Sequence, residues 1–409
     1  MKIVFMITAS LESPAGLRYL PMARALVGCG HQVTLLALHH DLRRRTPRRF
    51  ERDGVEVRYM GQMNVRKVGS EKTYFSTPAL LRVTLASTVR MLVEAARLPC
   101  DLVHVGKPQP VNGLAALLGA RLLRGRDLYL DCDDYEAESN RFAHAWLRRT
   151  VILFEDGLPR FATGLTVNTR FAQERYAGLG VPPARIAYVP NGIDQERFAP
   201  PAPDQVEALR RRWGLEGRPV VGYVGSLSLT GHAVDLLLEA FAQLLPRHPE
   251  AVLLLVGGGE DRERLQGQAA SLGLEGATRF AGWVPDGAIP AAISLATCTV
   301  DPVRDDLVAR ARAPLKIVES LAMGIPVVTG DVGDRRETLA AGQAGILVEP
   351  GSPQALADGL DRLLADEDLA ASLSEGACRQ RERYYWPSLA PEIVRLYETA
   401  PGIVKGRRD

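Results

Sequence analysis

The chain has little of what would set it apart from ordinary globular proteins. Its five cysteines (Cys29, Cys100, Cys132, Cys298, Cys378) form no CxxC pair, so neither a disulfide framework nor a zinc site is expected, and they read as reduced, mostly buried thiols. Aromatic residues make up 6% of the chain, and none interleave with its basic stretch, which argues against a nucleic-acid partner. No apolar run approaches the roughly 18 residues that span a bilayer. The opening MKIVFMI is too short for a signal segment and reads as a first strand, so a cytoplasmic location is expected. A net charge of +2, with 46% hydrophobic and 24% charged residues, excludes a disordered, collagenous or coiled-coil chain.

What is present is length and repetition. At 409 residues the chain exceeds one compact core and predicts two lobes with a cleft. Residues 1–200 carry 28 Lys/Arg against 19 Asp/Glu, and the remainder 22 against 29. A basic first half fits an anionic ligand or attraction between the lobes, and names no partner. Short apolar strands alternate with amphipathic stretches in both halves, as in parallel sheets built from βαβ units. The first half reads KIVFMI, a helix from Leu17 to Val27, QVTLLAL, DLVHV, LYLDC and LTVN; the second reads PVVGYVGS, the helix VDLLLEAFAQLL, AVLLLVGGG, TRFAGWV, CTVDPV and PVVTGD. The expected fold class is α/β, with two Rossmann-like doubly wound domains facing each other across a cleft. The proline-rich Ala199–Pro203 reads as the linker between a domain over 1–203 and one over 204–380. Residues 381–409, with WPSLAPEIVRLYETA, read as a terminal helical segment that packs back on the first domain or on the second.

In a doubly wound sheet ligands bind beyond the carboxyl ends of the strands. Three such loops draw notice. Gly16 opens a helix after the first strand, where backbone amides can approach an anion, although a plain turn explains it equally. Gly257-Gly258-Gly259 strips side chains from three positions, which suits a flat base lying on backbone or a tight strand-to-helix turn. Lys316 and Glu319 stand three apart on a helix and share a face, so one can serve a phosphate and the other ribose hydroxyls.

Read together, these segments resemble the family-4 retaining glycosyltransferases of GT-B fold. The matching phrases are GHQVTLLA (30–37), RIAYVPNGIDQERFAP (185–200), VDLLLEAF (234–241), LLLVGGGEDRERL (253–265), RFAGWVP (279–285), and ESLAMGIPVVTGDVGDRRETL running on to GILVEPGSPQALADGL (319–360). The likeness is weakest between residues 40 and 100. It implies sugar transfer from a nucleoside diphosphate sugar, UDP or GDP, to a hydroxyl of a glycan, lipid-linked or small-molecule acceptor, with retention and with neither cofactor nor obligatory metal. The donor would sit on the second domain. By position Glu319 would hydrogen-bond the ribose, main-chain groups of Trp283 and Val284 would meet the base, and Gly16, Gly225 and Gly258 would line the donor. Asp133-Asp134 stands where relatives carry a His-Asp pair near the transferring sugar.

The sequence also departs from the family pattern. The glutamate eight residues before Glu319 is replaced by Ala311, the arginine after Gly225 by Ser226, and the lysine before the VDLLLEAF helix by His232 or, with another gap, Thr230. Arg312 and Lys316 are the expected substitutes, since a leaving diphosphate needs positive charge; ordinary surface cations are the plainer reading. Retention without a nucleophile implies front-face attack, with Asp133 orienting the donor sugar or stabilising positive charge on its ring, and Lys107 facing acceptor or phosphate. His104, inside an apolar strand, reads as a packed core residue. Asp131-Cys132-Asp133 spells a metal-binding DxD, but the repeated α/β pattern argues against a metal there. Arg43, Arg44, Arg45, Arg48, Arg49 and Arg52 offer a peripheral contact with anionic lipid or an acidic glycan, a solvated helix face being the plainer reading. The alternatives to a transferase are a non-catalytic nucleotide-sugar-binding or scaffolding protein, favoured by Ala311 and Ser226, and a GT-B-like epimerase or hydrolase, which would turn over donor with no acceptor present.

Overall fold

Valine- and leucine-rich runs of four to eight residues, buried on both faces, form parallel strands in each half of the chain, because only crossover helices on both sides can cover such a sheet. The computed structural model describes residues 1–13, 16–43, 47–68, 71–139 and 144–400. By internal contacts the chain divides into two units, Met1–Gly192 joined by the segment from Trp386 onward, and Ile193–Tyr385.

The first unit holds β1 (Lys2–Met6), β2 (Gln32–His39), β3 (Arg49–Arg52), β4 (Val55–Gln62), a ribbon of β5 (Val65–Val68) and β6 (Glu71–Tyr74), β7 (Leu102–Gly106), β8 (Asp127–Cys132), β9 (Gly164–Val167) and β10 (Ile186–Tyr188). Eight of these form one sheet in the order β10-β9-β8-β7-β1-β2-β4-β3. It is parallel except for β3, which runs antiparallel to β4 at the edge. Its helices are α1 (Gly16–Gly28), α2 (Thr77–Arg97), α3 (Pro110–Ala115) continued by a π-helical stretch over Ala116–Leu122, α4 (Glu136–Ser139), α5 (Ala145–Gly157) and α6 (Arg170–Gly178). One face of the sheet packs on α1 and the terminal helix, Trp386–Thr399, through Ile3, Phe5, Tyr129, Trp386, Ile393 and Tyr397. The other packs on α2, α3, the turn after α5, and α6 through Val4, Val103, Leu130, Met91, Ala116 and Tyr176.

The second unit holds β11 (Val220–Val224), β12 (Val252–Val256), β13 (Thr278–Gly282), β14 (Cys298–Asp301), β15 (Val327–Gly330) and β16 (Gly345–Val348), in the order β13-β12-β11-β14-β15-β16. Its helices are α7 (Pro203–Trp213), α8 (Val234–Leu244), α9 (Arg262–Ser271), α10 (Ile289–Ser294), α11 (Leu307–Ala311), α12 (Leu315–Ala322), α13 (Arg335–Thr338), α14 (Pro353–Ala365) and α15 (Glu367–Tyr384). The Asp306, Ser352 and Asp366 side chains accept from the backbone amides of the first turns of α11, α14 and α15, so each helix starts where a polar cap satisfies it. Among the described residues no helix is long and apolar enough to cross a membrane.

The proline-rich stretch at 199–203 is not where the units part. The change comes at Gly192/Ile193, because Ile193 already bridges Tyr385 and Phe198 is buried with Ile317 and Leu321 in the second unit. The second change falls at Tyr385/Trp386 rather than after residue 380, since α15 runs unbroken to Tyr384. The arginine-rich stretch is not a helix either. Arg49 and Arg52 lie in β3, where Phe50 alternates inward with Val57 as its partner, and charged side chains on an edge strand discourage further pairing. Arg49 pairs with Glu56 at 2.6 Å and Arg52 lies 3.8 Å from Asp53; Arg44 and Arg45 lie outside the described residues.

Candidate functional site

Each sheet grows in both directions from one step in its strand order, β1 to β7 in the first unit and β11 to β14 in the second. Loops beyond the carboxyl ends of those strands diverge and leave a crevice for ligands. Both crevices are lined by charge.

In the first unit Lys107 follows β7 with a left-handed φ of 58°, a strained conformation for a residue with a Cβ. The buried Asn112 side chain holds this turn by donating to the carbonyls of Gly106 (2.7 Å), Lys107 (3.1 Å) and Met6 (3.1 Å). The Lys107 ammonium donates to Asp134 (2.6 Å) and Glu136 (2.7 Å) and lies 3.8 Å from Asp133. It is thus committed to three carboxylates rather than free to meet a phosphate. Gln109 donates to Glu136 at 3.1 Å and accepts from Thr8, beyond β1, at 2.7 Å. Asp133 is buried, and its Oδ1 has no hydrogen-bond partner among the described residues. Burial pushes its carboxyl up to about 7; Lys107 opposes the shift and Asp134 adds to it.

Beneath this cluster Asp131 is fully buried against Arg18, which donates Nε to Oδ2 (2.8 Å) and Nη2 to Oδ1 (2.9 Å). Thr166 donates to the same carboxylate at 2.6 Å, and Arg18 also reaches the carbonyls of Val189 and Pro190 and the Asn191 side chain. Both Asp131 oxygens are therefore engaged by protein groups. His104 is a core residue, stacked on Phe5 with Nδ1 2.5 Å from the Tyr397 hydroxyl; burial lowers its pKa to about 4. Gly16 begins α1, but the Ser13 hydroxyl accepts its amide (3.3 Å) and the Ser13 carbonyl that of Leu17 (3.1 Å). Those two amides are not offered to an anion. Glycine is needed there because a Cβ would stand 2.3 Å from the Leu11 carbonyl oxygen.

In the second unit Lys316, in the first turn of α12, donates to the buried Asp301 at the end of β14 (3.0 Å) and lies 3.4 Å from His232 Nδ1. Burial works against its charge, but Tyr223 and Asp301 outweigh it and the pKa is raised. For Asp301 burial is likewise overcome, by Lys316 and Arg335, so it stays well below the usual carboxylate range. His232 is lowered to about 3 by burial and then by Lys316 and Arg312. A neutral imidazole whose Nδ1 accepts from Lys316 carries its proton on Nε2. Arg312 donates to the Gly231 carbonyl, which brings three basic groups around the loop after β11. One turn along α12, Glu319 accepts from Arg197 at 2.8 Å, and Arg197 also binds Asp286 at 2.7 Å.

The glycine run after β12 serves the loops more than a base. Gly257 has a φ of 140°, and a Cβ on it would lie 1.9 Å from the Gly225 carbonyl; at Gly259 the obstacle is Leu227 backbone at 2.3 Å. Only Gly258 faces open space, while its carbonyl accepts from the Leu227 amide at 3.0 Å. Trp283 stands 65% exposed after β13, with Val284 buried behind it.

Residues 205–380 match the glycosyl transferases group 1 model, and residues 15–192 match the glycosyl transferase 4-like domain. The chain belongs to the family-4 glycosyltransferases of GT-B fold. A GDP-mannose-dependent alpha-(1-6)-phosphatidylinositol monomannoside mannosyltransferase from Mycolicibacterium smegmatis is 34% identical over 248 residues, 60% of this chain and 63% of that protein. A D-inositol 3-phosphate glycosyltransferase from Corynebacterium urealyticum is 34% identical over 227 residues, 53% of this chain and 52% of that one. The aligned stretches thus span between half and two thirds of those relatives. Among solved structures, sucrose-phosphate synthase from Thermosynechococcus elongatus has a TM-score of 0.76 at 20% identity, covering 97% of this chain and 98% of that one. Anabaena HepE in complex with UDP and glucose has a TM-score of 0.71 at 20% identity, covering 98% and 100%. Both share the fold.

Within this family member the departures have physical settings. Ser226 is exposed, and its carbonyl accepts from the Tyr223 hydroxyl at 2.7 Å. Thr230 is a buried hydroxyl without a partner among the described residues. Ala311 ends α11 and is buried, with Arg312 next along the chain. The expected donor residues Gly225, His232, Arg312 and Lys316 gather in one loop cluster, and Glu319 lies one turn of α12 away. Sequence reasoning missed Arg18, Asn112, Asp301, Arg335 and the grip of Arg197 on Glu319. Of these, Arg197 and Asp301 carried a signal, the first inside the matching phrase RIAYVPNGIDQERFAP and the second as a charge closing an apolar strand.

Proposed function

We propose that this protein is a retaining glycosyltransferase that moves a sugar from a nucleoside diphosphate sugar to a hydroxyl acceptor by front-face attack, without an obligatory metal. The observation that carries the reading is the group of Lys316, Arg312 and neutral His232 at the switch point of the second sheet. Two cations and an imidazole N–H donor are suited to the charge that grows on a leaving diphosphate. Asp301 keeps Lys316 charged and aimed, so the two act as a unit. Glu319, positioned by Arg197, is the acceptor for ribose hydroxyls, and Trp283 offers an exposed ring and main chain beside the base. UDP and GDP are the candidate nucleotides, and GDP-mannose is the first donor to test, given the mannosyltransferase relatives.

In this reading the acceptor hydroxyl attacks the anomeric carbon on the side the diphosphate leaves, and a phosphate oxygen takes its proton. Asp133 accepts a hydrogen bond from the donor sugar or faces the positive charge on its ring, while Lys107 acts as a positioning residue for Asp133 and Asp134. The test is thermal shift followed by calorimetry with UDP, GDP, ADP and dTDP and their sugar conjugates, with and without magnesium. A ligand at a hundred times its dissociation constant should stabilise the fold by about 2.7 kcal/mol. Metal-independent binding of one nucleotide, lost in Lys316→Ala and in Glu319→Ala, supports the donor site; binding to none would leave the scaffolding alternative in its place. Donor turnover that needs no acceptor would replace transfer by hydrolysis or epimerisation.

A further inference from the structure

Helix α2 is amphipathic in the wrong sense for a soluble surface. Its inner side buries Ser87 and Thr88 beside Met91 and Ala95, while Leu81, Leu85 and Val89, four residues apart, point outward with Arg82 among them. The neighbouring helices continue the pattern. Leu122 ends the π-helical stretch and Leu123 follows it, and Trp146 and Leu153 stand with Arg149 on the outer stripe of α5. These seven side chains are between 49% and 68% exposed. Phe161, in the turn after α5, is exposed as well.

These elements form one layer on the same face of the first sheet. The backbone at Gly119 approaches the Leu92 carbonyl closely, Gly113 lies against Leu158 and Phe154, and Arg124 donates to the Ala96 carbonyl at 2.7 Å. The charge on this surface is one-sided. Arg82, Arg97, Arg149 and Arg160 are exposed and have no ion pair among the described residues. The acids nearby are spent: Glu94 pairs with Arg58, Asp156 with Arg175, and Glu155 is buried, accepting the amides of Glu136 and Ala137. The second unit, by contrast, exposes only Leu272, Trp283 and Leu307 among its described large apolar side chains.

We infer that the outer face of α2, the π-helical stretch and α5 docks on an anionic lipid bilayer. Leucines and a tryptophan enter the region between headgroups and acyl chains, while arginines lie along the apolar surface and reach up to lipid phosphates. A second copy of this chain is a poorer occupant, because arginines would then face arginines. The surface is distinct from the arginine-rich edge strand β3, whose charges are partly neutralised by Glu56 and Asp53.

The experiment is flotation of the full chain with vesicles of phosphatidylcholine alone and of phosphatidylcholine mixed with phosphatidylglycerol, alongside sedimentation equilibrium. We expect binding to the mixed vesicles only, weakened by salt, and reduced by about tenfold or more in Leu81→Ser/Leu85→Ser/Val89→Ser and in Arg82→Gln/Arg149→Gln. Unchanged melting temperatures would show that the exposed substitutions leave the fold intact. Arg48→Gln/Arg49→Gln/Arg52→Gln should bind as the parent does. The inference is overturned by an absence of vesicle binding, by equal binding to both vesicles, by full binding of the serine variant, by loss of binding in the β3 variant, or by a dimer that the serine substitutions dissolve.

Discussion

Asp133 shows at the level of one residue how far burial can move a carboxyl. Its pKa in the fold is about 7 against an ordinary 3.8, so between those values the folded state holds a proton that the unfolded chain has released. Stability contributed by that proton is complete below pH 4 and is lost as the pH rises through 7. Asp133→Asn should therefore raise the melting temperature at pH 8, where the native carboxylate is ionised and ill-solvated, and change it little at pH 5. Calorimetric scans at the two pH values check this. The histidines act in the opposite sense. His104 at about 4 and His232 at about 3 remain neutral where the unfolded chain, near 6.5, takes up protons, so their contribution weakens as the pH falls below 6.5 and runs against the gain from Asp133. Arg18→Met would leave Asp131 charged and buried without its partner, at a cost of about 3–5 kcal/mol in chemical denaturation. The sequence carried Lys316 and Glu319 as a helical pair, because three-residue spacing on a helix is a local fact. It carried nothing of Arg18 and Asp131, which stand 113 positions apart and meet only when α1 packs on the folded sheet.

At the level of elements, the parallel strands were legible because burial on both faces demands unbroken apolar runs. The region between residues 40 and 100 was not. Helix α2 hides Ser87 and Thr88 and exposes Leu81, Leu85 and Val89, so a reader expecting polar residues outside finds no helix face. β3 carries the charges of an edge strand, which looked like a solvated helix. The glycine run after β12 was visible as a run, but its purpose was tertiary: two of the three glycines make room for the loop after β11. Gly257→Ala should thus act at a distance from any ligand, forcing a left-side φ and a collision with the Gly225 carbonyl. We expect a loss of roughly 1–3 kcal/mol in stability from the strain, together with weaker nucleotide binding in calorimetry, because Gly225 shares its loop with the groups that meet Lys316.

For the molecule as a whole, the division into units decides which pieces stand alone. Residues 193–385 contain the cores on both faces of the second sheet and the proposed nucleotide-binding groups. Expressed alone, they should unfold cooperatively and keep the nucleotide affinity of the full chain. Residues 1–192 should not fold alone, because Trp386, Leu389, Ile393, Leu396 and Tyr397 of the terminal helix complete their core. Each large apolar side chain buried contributes about 1.5–3 kcal/mol, so five of them rival the whole stability of a typical domain, about 5–15 kcal/mol. Circular dichroism and proteolysis of the two fragments distinguish these outcomes.

That shared core also orders events during synthesis. The first sheet leaves the ribosome with one face unsealed, and its cover is encoded beyond the 193 residues of the second unit. At about 5–20 residues per second, the nascent chain spends roughly 10–40 s in that state. Over that interval the later unit can already be native while the earlier one still presents Phe5 and Tyr129 to whatever is near. In this protein the part made first is finished last, and the demand for a chaperone falls on the beginning of the chain until its end arrives.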